Sequence, residues 1–276
     1  MPYIITKQQY RDEWVVAFQR GETILKDRVT RETMINGAVA NFSVQAAAGR
    51  MSERGTNGLI PSRNRTDSTV PVTLKEKHTK ETRPGFDVFT APANLREAMQ
   101  NASSLTAARE IDATIIDALA TATNAYNSGT AITLTYGKVA QIIGTMLQNN
   151  AGDEVTCVWS PMSWARILTF PQFTSVDYVD TKALSGSTVN KPAVWLGATH
   201  LVHTGLTGMG TATAQNYCFA RAAVGHAIAN DMVMVDAGYN GEDDYSYDRA
   251  TIYDGGAILQ QAGVLKVVTD DTVAFS

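Results

Sequence analysis

The run from Leu105 to Tyr126 constrains this chain more than any other segment. Leu105, Ala108, Ile111, Ile115, Leu119, Ala122 and Tyr126 recur at spacings of three and four. That pattern predicts one long amphipathic helix, and Asn127-Ser128-Gly129 supplies its stop. At about 1.5 Å per residue such a helix spans roughly 33 Å, about the width of a small domain. Other elements must pack along it, so it reads as a spine.

The residues before the spine do not form a core. Residues 1–45 contain one short amphipathic stretch, Gln8 to Phe18, with Tyr10, Trp14, Val15 and Phe18 near one face. Residues 46–68 are loop-like, punctuated by Gly55, Asn57, Gly58 and Pro61 and rich in arginine at Arg50, Arg54, Arg63 and Arg65. Residues 69–83 then alternate. Val70, Val72 and Leu74 fall on one face, while Thr69, Thr73, Lys75 and Lys77 frame the other. Together, 46–90 read as a long hairpin arm. An isolated hairpin is marginal in water, so this arm must lie on something else.

After the spine the chain reads as α+β. Tyr136 to Asn149 is a second helix, capped by Thr135, with Val139, Ile142, Ile143, Met146 and Leu147 on its apolar face. Glu154 to Trp159 is a strand. Ser160-Pro161 is a cap and first-turn pair for a short helix, Met162 to Leu168. A polar loop covers 174–192. Strand character resumes over Val194 to Val202, Gln215 to Arg221 and Asp231 to Asp236. Ala222 to Asn230 reads as a short helix or extended turn, and Gly241 to Asp248 as an acidic, aromatic turn. Two closing strands, Ala250 to Tyr253 and Ala257 to Val268, flank an expected tight turn at Asp254-Gly255-Gly256.

Composition narrows the function. The net charge is -4, from 23 basic and 27 acidic residues, whereas a nucleic-acid reader usually shows a basic excess. Charged residues are 18% of the chain, which suits a surface partly buried against partners. Cys157 and Cys218 sit in apolar strands and read as inert core thiols, consistent with a reducing cytosol. No secretory leader is expected from Met1-Pro2-Tyr3, and no window reaches 18 consecutive apolar residues.

Enzyme and metal readings find little support. His200 and His203, three apart on a strand, would point to opposite faces, which argues against one shared metal ion. The carboxylates from Asp236 to Asp248 lack the alternating ligand pattern of a calcium loop. No nucleophile elbow, phosphate loop or dinucleotide fingerprint occurs, and His78 and His226 have no evident partner. An α+β hydrolase therefore lacks a nucleophile and base, and no catalytic, cofactor or metal residue is assigned.

The order of elements, with two segments, carries a resemblance. Val158-Trp159-Ser160-Pro161-Met162-Ser163-Trp164-Ala165-Arg166-Ile167-Leu168 and Val194-Trp195-Leu196-Gly197-Ala198, followed by His203-Thr204-Gly205-Leu206, resemble segments of tailed-bacteriophage major capsid proteins of the Hong Kong 97 type. The resemblance implies an N-terminal arm (1–45), an extended E-loop (46–90) and a P domain with its spine helix (91–130). An A domain (131–240) and strands returning to the P domain (241–276) would follow. It implies a structural coat protein that self-assembles as pentamers and hexamers into an icosahedral head, with no cofactor. Scaffold, decoration and portal proteins would be partners, packaged DNA would be touched non-specifically, and no membrane would be involved. Assembly would occur in the host cytoplasm and the product would be the virion capsid. An encapsulin-type compartment shares this fold and stands as the alternative.

Charge suggests how such an arm finds its place. Residues 46–90 carry eight basic and five acidic side chains, and residues 231–254 carry seven acidic and one basic. Arg50, Arg54, Arg63 and Arg65 are thus candidate donors to Glu242, Asp243 and Asp244 of a neighbour. Lys75, Lys77 and Lys80 lie where some relatives carry a cross-linking lysine. Trp14 and Phe18 are candidates to dock the N-terminal arm on an adjacent subunit.

Overall fold

The computed structural model describes residues 23–33, 35, 37–46, 50–51, 53–54, 58, 66–85, 87, 95–151, 154–171, 192–229 and 233–274. The expected helix Gln8 to Phe18, with Trp14 and Phe18, lies outside them, as do Arg63, Arg65 and nearly all of the 174–192 loop.

In chain order the strands are β1 (Thr30–Glu32), β2 (Val39–Val44), β3 (Ser68–Thr73), β4 (Lys75–Pro84), β5 (Val155–Trp159), β6 (Ala193–Trp195), β7 (Ala198–Val202), β8 (Ala214–Ala220), β9 (Val224–Ile228), β10 (Met234–Asn240), β11 (Tyr245–Ile258) and β12 (Val264–Thr269). The helices are α1 (Leu95–Ala120), α2 (Tyr136–Gln148) and α3 (Pro161–Leu168). One sheet runs β1-β9-β11-β10, with β4 also paired to β11. A second runs β12-β8-β5-β7-β6 and is mixed, because β5 and β7 are parallel. A two-stranded ribbon, β2 with β3, stands apart.

The spine is α1. It begins ten residues before the expected start, where Leu95 to Gln100 are good helix formers and Leu95, Met99 and Ala102 continue the spacing of three and four. It ends at Ala120, where Thr121 and Ala122 donate to Ala118 and Leu119 and tighten the last turn. Its buried face carries Ile111, Ile115, Ile116 and Leu119.

Along β11, Ser246, Asp248, Ala250, Ile252 and Asp254 are buried on alternate positions, and α1 covers that face in step. Ser246 and Asp248 share a pocket with Met99 and Gln100. Ala250 and Ile252 share one with Thr106, Ala107 and Glu110. Asp254 meets Thr114, and Gly256 lies under Ala118. The lengths agree, since about 19 helical residues and about nine strand residues both span roughly 30 Å.

One core cluster joins α1, α2 and α3 to both large sheets, with Trp159, Trp164, Tyr217 and Phe219 among its fully buried side chains. The ribbon has only Ala40, Phe42 and Val72, completed by Ala227 of β9. As its polarity implies, it borrows its core.

The caps are as the sequence indicates. Thr135 accepts from the Lys138 N–H at 3.4 Å, and Ser160 accepts from Ser163 at 3.2 Å with Pro161 in the first turn.

Several local readings change, among them the Gly241 to Asp248 turn, whose last four residues open β11. The hairpin begins at Val39, ahead of residue 46, because Ala40 and Phe42 pair across from Val72 and Val70. The Val194 to Val202 run is folded into β6 and β7 by Leu196 and Gly197, both at positive φ (50° and 77°), the signature of a two-residue hairpin turn. Ala222 to Asn230 is mostly strand, since Val224 to Ile228 are all buried inside the first sheet. Asp254-Gly255-Gly256 makes no turn, and β11 passes straight through it. Those glycines serve close approach: a Cβ on Gly255 would sit 2.5 Å from the Thr73 carbonyl oxygen, and one on Gly256 would sit 3.1 Å from Ala118 Cβ. Finally, Cys157 and Cys218 are buried but not separate thiols. They face each other across β5 and β8 with Cα atoms 4.1 Å apart and form a disulfide.

Gly255→Ala must displace backbone, and is expected to destabilise the unassembled subunit by about 1–3 kcal/mol in chemical denaturation. Gly241→Ala, whose new Cβ would lie 3.8 Å from its nearest neighbour, is expected to stay within about 0.5 kcal/mol.

Candidate functional site

The basic arm and the acidic segment meet within one chain. β4 runs antiparallel to β11 from Lys75 opposite Asp254 to Pro84 opposite Tyr245. Lys80 lies 5.3 and 5.8 Å from the ring centres of Tyr245 and Tyr247, within cation–π range. Arg83 pairs with Glu81 at 2.7 Å. The Gly85 N–H donates to the Asp244 carbonyl at 2.8 Å. Asp244 also accepts from the Tyr239 hydroxyl at 2.5 Å, and Asn240 donates to Asp243 at 3.2 Å.

Glu242, Asp243 and Asp244 remain exposed on their turn. Lys75 is exposed as well. Towards the far end of the arm, Arg50, Met51 and Arg54 are exposed, and Arg54 Nε donates to the Gly58 carbonyl at 2.7 Å. Among the described residues neither Arg50 nor Arg54 forms an ion pair.

Lys77 points inward at the root of this arm. Its Nζ lies 2.7 Å from Glu110 and 3.2 Å from Asp254, and donates to Thr114 at 2.5 Å. Thr114 in turn donates to Asp254 at 2.7 Å, and His226 Nε2 stands 3.5 Å from the same carboxylate. Burial works against both charges. It is outweighed at Lys77 by the Glu110 hydrogen bond and the Asp254 charge, which raise its pKa. It is outweighed at Asp254 by the neighbouring His226, the Thr114 hydrogen bond and the Lys77 charge, which lower its pKa. β4, α1, β9 and β11 thus meet at one charged knot. His78, beside it, touches Thr251 at 3.1 Å and Glu76 at 3.4 Å.

A second knot sits two residues earlier on α1. Asp112 is fully buried and accepts the Ile24 and Leu25 N–H groups at 3.0 and 3.1 Å. The Gly205 N–H donates to His203 Nδ1 at 2.8 Å. That leaves the ring proton on Nε2, which faces Asp112 at 3.4 Å. Asp112 therefore ties the segment before β1 and the loop after β7 to the spine.

His200 does different work. Trp159 Nε1 donates to its Nδ1 at 2.9 Å, and its Nε2 lies 3.1 Å from the Trp195 carbonyl. Burial lowers its pKa to about 4, with the Trp195 contact opposing only in part. It is a neutral spacer among tryptophans. The sequence reading missed Asp112, Asp254 and Thr114. An aspartate on the apolar side of α1, and another in phase with Ala250 and Ile252, are the signals that were present.

These arrangements hold strands and helices in register, and they offer no nucleophile paired with a base. Among the described residues no helix is long and apolar enough to cross a membrane.

A family model described as phage capsid protein matches residues 4–270. Among curated protein sequences none matches significantly. Among solved structures, one from Mycobacterium phage Che8 is 18% identical, with a TM-score of 0.73, covering 98% of this chain and 99% of that one. The capsid of Cyanophage P-SCSP1u is 14% identical at a TM-score of 0.70, covering 96% and 93%. The capsid of Ralstonia phage GP4 is 12% identical at 0.71, covering 96% and 95%. At these identities the likeness concerns the fold.

Lys77→Met strips Asp254 and Glu110 of their cation and is expected to cost about 3 kcal/mol or more. The Asp254 contribution is complete above about pH 4 and is lost as pH falls through its lowered pKa. The Lys77 contribution is complete below about pH 10 and is lost as pH rises through its raised pKa. Denaturation across pH should show both flanks in the wild type and a flattened alkaline flank in Lys77→Met. Identical flanks would contradict the knot.

Proposed function

The chain belongs to the phage capsid protein family, and we propose that it closes an icosahedral head by packing as pentamers and hexamers of itself. It is a structural major capsid protein of the virion shell and not an enzyme. The observation that carries the packing proposal is the arm: a ribbon with three core residues of its own, leading to a wholly exposed Met51 between two exposed arginines. Extended segments of this kind gain order by lying on a partner.

In this reading residues 1–45 act as an N-terminal arm, with Trp14 and Phe18 docking on an adjacent subunit. Residues 46–90 act as the E-loop, with β2 contributing to its base. Residues 91–130 and 241–276 form the P domain, and 131–240 form the A domain. Arg50, Arg54, Arg63 and Arg65 reach Glu242 and Asp243 of a neighbour, whose carboxylates are exposed on the 241–244 turn. Asp244 belongs to the same turn, though it is already engaged by Tyr239 and Gly85. Lys77 is committed to its own Glu110 and Asp254, so exposed Lys75 is the better placed of the two for a neighbour. Scaffold, decoration and portal proteins complete the head, which is built in the host cytoplasm. The net charge of -4 suits an inner surface that touches DNA without gripping it.

Charge reversal at Arg63 and Arg65, as Arg63→Glu with Arg65→Glu, should leave the subunit folded by circular dichroism. It should sharply reduce closed particles in negative-stain electron microscopy and sedimentation. Normal shells from the double variant would remove the charge register. A wild-type protein that stays monomeric at high concentration would remove the capsomer reading.

A further inference from the structure

We propose that β10 pairs with β10 of a second copy about a two-fold axis, joining the two sheets edge to edge. This pairing requires the self-packing of the shell reading but not its arm.

The sheet has two open edges beside β11, and they differ. Over residues 245–251, β11 lies between β10 and β4. Among the described residues neither flanking strand pairs with any other. An open edge is a template for a further strand, and charged side chains and proline are what blunt it. β4 is blunted: Lys75, Glu76, Lys80, Glu81 and Arg83 are spread along it, and Pro84 ends it. β10 is not. Its 7 residues carry one charge, Asp236, and no proline. That charge is already matched by Arg249 of its own chain at 3.3 Å. Met234, Val235 and Tyr239 are 42%, 46% and 54% exposed, although the strand belongs to a sheet. Adjoining exposed apolar side chains of this kind mark a surface that another chain covers.

The sequence of β10 fits itself. A two-fold axis sets the same strand of two copies against itself, here antiparallel, and one register pairs the whole of 234–240: the one centred on Ala237. Val235 then lies across from Tyr239, a β-branched side chain against an aromatic ring, twice over. Met234 lies across from Asn240. Asp236 lies across from Gly238, so the two aspartates stand diagonally, each beside its own Arg249. A register centred on Asp236 opposes like charges directly and leaves residues unpaired. Val235, Ala237 and Tyr239 lie opposite Ala250, Asp248 and Ser246 of β11, so they share one face of the sheet. The pairing buries them as a single strip running across both copies.

The test places cysteines in the full-length protein. The native Cys157 and Cys218 are buried and joined to each other, so they stay silent. Directly opposed residues of an antiparallel pair have Cα atoms about 4.5–5.5 Å apart, inside the range that a disulfide spans. Ala237→Cys shells treated with diamide should therefore run mostly as a covalent dimer in non-reducing electrophoresis, and as monomer after dithiothreitol. Val235→Cys sets its two cysteines roughly 13 Å apart along the strands and should stay monomeric. Val235→Cys combined with Tyr239→Cys restores opposed partners and should dimerise again. Ala237→Cys shells that stay monomeric, or Val235→Cys shells that dimerise equally, overturn the pairing and leave the shell reading standing. A protein that forms neither particles nor dimers overturns both. Should Ala237→Cys not fold, the double variant against Val235→Cys alone decides.

Discussion

The contact between α1 and the alternate face of β11 is the constraint on which the rest of the subunit depends. A helix and a strand advance at different rates per residue, so they stay in step only if small and large side chains are placed to match. Gly256 lets Ala118 approach, and Asp254 meets Thr114 one helical turn away. Once that pair is fixed, β4 and β10 find their places on β11, and β9 follows with β1 on its far side. The second sheet is joined to the spine by a continuous apolar core.

Buried charges set position within this frame. A buried ion pair is weak as a source of stability but punishing to break, so it acts as a locator. Asp254 fixes the root of the arm, and Asp112 fixes the chain before β1 and the loop after β7. Both sit on or against α1. Among the described residues of the arm beyond its root, none is held by such a buried charge.

How much of this was legible follows from range. Local signals told the truth: Thr135 and Ser160 cap their helices, and Val70, Val72 and Leu74 turn one way. Gly255-Gly256 was misleading because a glycine pair in sequence looks the same whether it serves a turn or a close approach. The strand Val224 to Ile228 was hidden by its small residues, whose burial depends on β1 and β11. The aspartate roles were the least visible. Asp112 meets a backbone 87 residues away, and Thr114 meets Asp254 across 140 residues. The cysteines needed the β5–β8 register to become a pair. The acidic turn is shorter than the sequence suggests, 241–244 with Tyr245 opening β11, and its closeness to the arm root of its own chain is a tertiary fact.

On the proposed packing, the root of the arm is complete in the lone subunit and the arm becomes complete only on a neighbour. Amide hydrogen exchange on unassembled subunits and on assembled shells separates the two. Amides of β4 and β11 should be protected in both states, and those of the arm around Arg50 to Arg54 should exchange fast in subunits and slowly in shells. Arm amides that exchange at the same rate in both states would contradict the claim.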